Sequence, residues 1–570
     1  MSMRFTFTFV FILLTLTACK KTPKPPTLTL QELDSIKTDL TTRADYKSSN
    51  AITMTDTSAA YYKEVTVYDT RFKDSIANDV NTFYHRNNFK TRWLYSEQNT
   101  ALFDSYLKVL EQSVYYGLNP ETYRYSELKT AVKKLYHGTP TDSAIAVLDK
   151  NITASYFLLA KHIVQGRILN PSEGKKIWLN NIRNEDDINL LLRVTDDEAL
   201  EKTIETLHPN NRHYTKMRQK LQELVHVKKE DYKQFSFDKP KTFTLGYKDK
   251  KVRLIRENLE KRGYIFLQDS IKNIVDEELI ETLKYFQKEK GLEEDGIPGE
   301  RTLYYLNMTN EHKRELLIVN MERMRWLNKD FGKEYIIVNI PQFMLYAYNN
   351  DTLDFSMRVI VGKGFSPTPV FMDKMEYIEF RPTWTVPQSI IRDEMIPLMA
   401  KDPTRYTRKG FSIYKDGEKI NPYAVDWSSE EVKKQRFTFV ERPSAANALG
   451  LVKFIFPNSL DIYLHDTPTD HLFEKKYRAF SHGCVRVEKP AEFAAYLLRD
   501  KEGWDLDRVL EAMYNGPYKQ RVHLDKDLLV QLLYITVYID ENDELVIFND
   551  IYDFDKSQIA KLKNDYGFAL

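Results

Sequence analysis

Ile462-Tyr463-Leu464-His465-Asp466-Thr467-Pro468 and, shortly after it, Phe480-Ser481-His482-Gly483-Cys484-Val485-Arg486-Val487-Glu488-Lys489-Pro490 form the stretch that orders the reading of the chain. Three of the 11 histidines, His465, His471 and His482, lie within 20 residues of Cys484. In the first segment a period of two puts Ile462 and Leu464 on one face of a strand and Tyr463 with His465 on the other. In the second segment a glycine precedes the cysteine. Gly483 lets a substrate come close to the backbone N–H groups around the thiol, where an oxyanion needs donors. A thiol of ordinary pKa, ~8.5, is only a few per cent thiolate at neutral pH, so it needs a base. Either His465 or His482 could take the proton, form a thiolate–imidazolium pair and return the proton to a leaving amine. The chemistry implied is acyl transfer through a thioester.

The 570 residues are too many for one core and imply three or four folded units. Hydrophobic residues make up 42% and aromatics 13%, enough for packed cores throughout most of the chain. With 83 Lys+Arg against 82 Asp+Glu the net charge is +1, which argues against a nucleic-acid partner. The two cysteines, Cys19 and Cys484, are too differently placed to suggest a disulfide. Arg4 followed by the apolar stretch Phe5 to Leu16 reads as an export signal, too short for the ~20 residues of a spanning helix. Everything after residue 19 is then expected outside the cytoplasm.

Lys20 to about Asp69 is polar, with Pro23, Pro25 and Pro26 near its start, and is expected to be a tether. From Phe72 to about Val227 the period is helical: Leu102, Tyr106, Val109 and Leu110 form one apolar stripe, and Ile152, Tyr156, Leu159 and Ile163 another. Between about Tyr247 and Asn307, Val252, Ile255 and Leu259 mark one short helix, and Leu279, Leu283 and Phe286 a second. A third follows Gly299. After about Leu327 the texture is β: Tyr335 to Ile340, Phe343 to Tyr348, Arg358 to Val361, Val452 to Phe456 and Asp461 to His465 are predicted strands. Ile535 to Ile539 and Leu545 to Phe548 are predicted as a hairpin, and Ile390 to Lys401 and Pro490 to Arg499 as helices. The polar, Lys-rich span Tyr406 to Glu441 is expected to be an insertion forming a lid.

Three resemblances add to this. Leu16-Thr17-Ala18-Cys19 resembles the lipobox of bacterial lipoproteins, which implies cleavage after a signal peptide at 1–18 and a lipid anchor on Cys19. Phe286-Gln287, Gly291-Leu292, Asp295-Gly296, Gly299 and Thr302-Leu303 resemble the peptidoglycan-binding domain of bacterial wall enzymes. The His465 and Cys484 segments resemble the active-site signature of the L,D-transpeptidases (YkuD-like), in which a histidine is followed within fewer than 20 residues by Ser/Thr-His-Gly-Cys; here the two are 19 positions apart. The family's nucleophile maps onto Cys484 and its base onto His465, with Ser481, His482, Gly483 and Tyr463 lining the site and the Cys484 amide in the oxyanion hole. Arg486 stands where many members have Asn, and Asp466 where many have Gly. The family orients its base through a backbone carbonyl, so Asp466 is not assigned as a third catalytic group.

Blocks Arg381 to Ser389, Asn447 to Gly450 and Phe454 to Asn458, with FYHRNNFKTRWL and GLNPETY, resemble the large branch of this family. The implied plan is a multidomain α+β chain. It has a tether (19–69), an α-helical scaffold domain (70–240), a small three-helix peptidoglycan-binding domain (247–310) and a mainly β catalytic domain (330–560) with an inserted lid (406–441). Trp384 and Arg486 are expected to contact substrate. The resemblance implies formation of 3→3 peptidoglycan cross-links from tetrapeptide donor stems, with release of D-Ala, no cofactor and no metal. Donor and acceptor stem peptides are the partners, carbapenems covalent inhibitors, and the periplasmic face of an outer membrane the location. The alternatives are an L,D-carboxypeptidase or a protein-to-wall transferase using the same thioester, a zinc site on His465, His471, His482 and Cys484, and a non-catalytic tethering lipoprotein.

Overall fold

The computed structural model describes residues 66–566 apart from 68, 169–177, 179–185, 228–229, 231–232, 238–239, 268–271 and 328–330. The expected signal peptide, Cys19 and nearly all of the tether lie outside the described residues. Packing divides the chain into two units, one of residues up to 111 with 119–159, the other mainly 160–563 with 112–118.

Helices of the first unit form where the apolar period is 3.6. Leu102, Tyr106, Val109 and Leu110 of helix Glu97–Gln112 and Ile152, Tyr156 and Leu159 of helix Asp142–Gln165 are all buried. At the centre, the buried Asp149 accepts the backbone N–H groups of Arg92 and Trp93, both at 2.8 Å, and the hydroxyl of Tyr84 at 2.5 Å. The carboxylate thereby satisfies donors that the turn at 92–93 leaves unpaired inside the unit.

Three short helices in the second unit, Lys250–Glu260, Glu277–Glu289 and Glu300–Leu306, bury Val252, Ile255, Leu259, Leu279, Leu283 and Phe286 against one another. Gln287 holds their turn, its amide donating to Asp295 Oδ1 and the Ile297 carbonyl while Gly296 N–H donates back to Gln287 Oε1 at 2.8 Å. Helix Asn310–Arg325 follows, buried on every side. Its charges are paired, Arg325 with Glu322 at 3.0 Å and Arg323 with Asp555 at 2.7 Å.

The remaining strands are, in chain order, β1 Glu334–Asn339, β2 Met344–Asn349, β3 Thr352–Gly362, β4 Phe371–Phe380, β5 Trp384–Thr385, β6 Phe411–Lys415, β7 Glu418–Lys419 and β8 Phe437–Glu441. They continue with β9 Val452–Ile455, β10 Leu464–His465, β11 Ala479–Ser481, β12 Val485–Val487, β13 Gln520–Leu533, β14 Val537–Ile539 and β15 Leu545–Ile547. Nine of them form one sheet in the order β11-β3-β12-β10-β9-β4-β13-β1-β2, and β2 also pairs with β3, so the ladder closes on itself. The inward face carries Ile336, Val338, Leu345, Ile378, Val452, Phe454, Leu464, Val485, Val530 and Leu532, all buried. Strands β14 and β15 form the expected hairpin.

Three expectations are corrected. The strand predicted over Asp461 to His465 contains only Leu464–His465. Asn458 Oδ1 captures the N–H groups of Leu460 and Ile462, and Asp461 takes a positive φ of 53°, which lifts residues 461–462 off the ladder. The insertion is also larger than 406–441. Strands β5, β8, β6 and β7 make a second sheet that starts at Trp384. The helical run Gln388–Ile390, Ile391–Met395 and Ile396–Met399 packs on it around Met399, Phe437, Phe439 and Trp427. This cap has its own hydrophobic core. Finally, β4, β13 and the helices Leu506–Tyr514 and Phe554–Tyr566 were not anticipated, and the last of these runs past the expected domain end at 560.

Gly450 is at φ +62°, and a Cβ there would stand 2.2 Å from Asp466 Oδ2. Gly450→Ala is expected to cost at least the ~1–2 kcal/mol of a left-handed non-glycine residue, with the clash added. Urea unfolding measures it, and an unchanged midpoint would contradict this packing.

Candidate active site

The two-residue strand β10 runs antiparallel to β9 and parallel to β12, with Leu464 opposite Val485 and His465 opposite Arg486. Paired residues project to the same face of a sheet, and successive residues to opposite faces. Leu464, Val485 and Val487 therefore enter the core, where all are 0% exposed. His465, Arg486 and, two positions before Arg486, Cys484 project to the other side. There they line a cleft of about 1000 Å³ together with Tyr463, Ser481 and His482. The cap supplies the opposite wall through Trp384, Glu394, Tyr406 and Arg436. Trp384 also packs edge-on against Phe411, so it serves cleft and cap core at once. Ile462 was expected on the core face with Leu464; it borders the cleft instead, because its segment has left the ladder.

The two candidate bases are distinguished by their partners. His465 is buried, and its Nδ1–H donates to the Asp466 carbonyl at 2.5 Å, which leaves Nε2 as the acceptor nitrogen. The ring of His482 is partly exposed and lies 2.5 Å from Glu394 Oε1 on the cap. The Asp466 carboxylate takes no part in the cleft. It accepts the N–H groups of Leu451 at 2.8 Å and Thr467 at 2.7 Å, and burial raises its pKa to about 6. His471 is exposed on the turn Asp470–Glu474, away from the cleft. Among the described residues no cluster of three or more His, Cys, Asp or Glu could hold a metal ion.

The turn Ser481 to Cys484 is held by its carbonyls. Lys363 N–H donates to Ser481 O at 3.0 Å, Ser366 Oγ to His482 O at 2.9 Å, Thr368 Oγ1 to Gly483 O at 2.7 Å and Ser481 Oγ to Cys484 O at 2.5 Å. Gly483 adopts φ +122°, a conformation that favours glycine. In a trans peptide C=O and N–H point opposite ways. Thr368, itself fully buried and accepting Gly362 N–H at 2.9 Å, therefore turns the Cys484 N–H away from the interior. That N–H meets no protein acceptor among the described residues. Sequence reasoning did not find Ser366, Thr368 or Glu394: they come from the β3–β4 loop and the cap, remote in sequence, and are ordinary polar residues with no motif of their own.

The thiol and imidazole are both held neutral. Burial pushes the Cys484 thiol up to about 11, against the hydrogen bonds it receives from the Tyr463 backbone and hydroxyl. Burial, helped by the Arg486 charge, lowers His465 to about 3. The thiol's other hydrogen bond is a long one, 3.8 Å to the Asp461 carbonyl. The expected thiolate–imidazolium pair is thus disfavoured in the empty cleft, where desolvation penalises both charges. Arg486 donates to Thr469 Oγ1 at 3.1 Å and has no carboxylate partner among the described residues. Alkylation of Cys484, followed by mass spectrometry across pH, is expected to show a midpoint near 11. Tyr463→Phe should move it higher, since the hydroxyl stabilises the thiolate. A midpoint at the ordinary ~8.5 would contradict the burial.

Among solved structures, LD transpeptidase LdtMt1 in complex with imipenem is 14% identical, covering 35% of this chain and 59% of that one, with TM-score 0.18. An L,D-transpeptidase (Yku) from Stackebrandtia nassauensis is 14% identical over 51% of this chain and 94% of that one, also with TM-score 0.18. A Haemophilus influenzae protein named "Putative L,D-transpeptidase" is 37% identical over 242 residues, which is 42% of this chain and 48% of that protein. The chain thus spans about half the length of this curated relative. A scaffold-domain family matches residues 78–221, a "Putative peptidoglycan binding domain" family matches 248–306, and the L,D-transpeptidase catalytic domain family YkuD matches 333–510, a span that holds both β10 and β12. The chain thus carries an L,D-transpeptidase catalytic domain of the YkuD family over residues 333–510, preceded by a scaffold domain and a peptidoglycan-binding domain.

Proposed function

We propose that the protein forms 3→3 cross-links between peptidoglycan stems through a thioester on Cys484. The observation that carries this reading is the shared face of His465 and Cys484, with His465 Nδ1 committed to the Asp466 carbonyl and Nε2 left as a proton acceptor. Cys484 Sγ attacks the carbonyl of the L-centre of the third stem residue while its proton passes to His465. The C–N bond breaks, D-Ala leaves with that proton on its amine, and the Cys484 N–H holds the oxyanion during the step. An amine of a second stem then attacks the thioester, and the sulfur recovers a proton as the new amide forms. Because both groups rest neutral, the proton moves only as the S–C bond forms. Arg486, a cationic group in the cleft with no carboxylate partner among the described residues, binds a stem carboxylate. Carbapenems present the same thiol with a strained acyl donor and would acylate it.

The chain works outside the cytoplasm, held through a lipid on Cys19 to a membrane, the outer one favoured, with residues 248–306 engaging the wall. Incubation with disaccharide-tetrapeptides and mass spectrometry of the products tests the reaction. Cross-linked dimers are expected, and loss of D-Ala without dimers would mean that water is the acceptor. Dimer formation that survives Cys484→Ala sinks the thioester mechanism. The acylation rate should also hold steady from pH 7 to pH 5, because a base lowered to about 3 stays deprotonated there. Half-maximal rate near ~6.5, the ordinary histidine value, would show a base other than this buried ring.

A further inference from the structure

A second cavity, of about 690 Å³, lies on the outer side of β1 and β2, lined by none of the cleft residues. That size falls within the ~300–1,000 Å³ usual for ligand sites. The register sets Tyr335 opposite Tyr348 and Ile337 opposite Tyr346. These side chains face away from the inward Ile336, Val338, Leu345 and Ala347, all of which are buried. The outward face of a sheet is ordinarily polar. This one carries a run of phenols: Tyr335 and Tyr348 stack at 5.1 Å and 22°, and Tyr346 follows at 6.3 Å. Tyr538 of β14 borders the same space, as do the amides of Asn339 and Gln342.

The charges at its rim are already used. Arg212 pairs with Glu541 at 2.6 Å, Lys216 donates to the Asp540 carbonyl at 2.7 Å, and Asp351 accepts the Tyr335 hydroxyl at 3.1 Å. The Asn339 amide is taken up by the backbone of Ile535 and the Gln342 amide donates to the Tyr346 hydroxyl, so the lining offers a ligand mainly aromatic surface and hydroxyls, with each of these rim charges already held by a protein partner. The hydroxyls of Tyr348 and Tyr538 have no hydrogen-bond partner among the described residues. A pyranose has this complementary form, with apolar C–H faces that lie on aromatic rings and hydroxyl and acetamido groups at its edge. A charged stem peptide does not, since its carboxylates would be desolvated without a partner.

We propose that this cavity binds an uncharged segment of glycan, of the N-acetylhexosamine type, apart from the cleft that takes the peptide. The polymer's identity as wall glycan rests on the cross-linking reading; the binding itself does not. The test uses the full chain with β-1,4-linked N-acetylglucosamine oligomers in ligand-observed NMR and calorimetry, in wild type and in Cys484→Ala. Binding insensitive to salt is expected in both, weakened at least tenfold by Tyr346→Ser and by Tyr538→Ser, which border the space from β2 and from β14. Cross-linking of soluble disaccharide-tetrapeptides should be unchanged in these two variants. Absence of binding, or equal binding by wild type and both variants with unaltered circular dichroism, would overturn the proposal. So would salt-dependent binding of free stem peptide at this cavity. Failure of Cys484→Ala to abolish cross-linking would count against the mechanism alone and leave the glycan site standing.

Discussion

The parallel pairing of β10 with β12 is the constraint from which the cleft follows. The contact is very short, two residues against three. It is secured by Leu464, Val485 and Val487, which are wholly buried. Fully burying such side chains contributes roughly 1.5–3 kcal/mol each. Because the side-chain period of a strand is two, burying those three dictates that His465, Cys484 and Arg486 project to the opposite face. A shift of one residue in this ladder would send the imidazole into the core and a leucine into the cleft. The hydrophobic core thus does the positioning, and the polar groups are placed as its by-product.

A second layer of constraint acts on the backbone. Four consecutive carbonyls, from Ser481 to Cys484, are anchored by hydroxyl and amide donors on the protein side. A turn so anchored loses little further entropy when a substrate binds, and its outward N–H is oriented in advance. Asp466 does comparable work on the other strand. Its carboxylate ties β10 to Leu451, and its carbonyl fixes the tautomer of His465. Burial acts alongside this geometry by holding both ionisable groups in their neutral forms. The cap and the sheet meet through His482 and Glu394, so the segment Ile391–Met395 is coupled to the residue two before the thiol.

Legibility differed among the elements for identifiable reasons. Helix Glu97–Gln112 could be read because one face is apolar and the period is clean, and helix Asp142–Gln165, though buried all round over most of its length, because most of its buried residues are apolar and uncharged. Helix Asn310–Arg325 could not, since it is buried all round and carries paired charges on every face, so no stripe exists to detect. Strand β13 reads Gln-Arg-Val-His-Leu-Asp-Lys-Asp before its apolar end, and an irregularity between His523 and Leu528 breaks the alternation. The cap reads as a polar lid in sequence because its apolar residues, Phe411, Trp427, Phe437 and Phe439, are widely spaced and become a core only once β6 and β8 pair. The histidine and cysteine of the cleft were visible through residue type and spacing. Thr368 and Glu394 were not, because nothing local distinguishes them.

By itself the sequence determined the multidomain α+β class and the resemblance of the His465 and Cys484 segments to a known signature. These are carried by local pattern: period, turn residues and a short motif. The partner that orients each histidine came from the assembled fold, a backbone carbonyl for His465 Nδ1 and, for His482 Nε2, a glutamate 88 positions away. The tertiary structure alone set the protonation of the thiol and imidazole as well. An ionisable group's charge state reflects how much water surrounds it, and that water is removed by residues drawn from every part of the chain.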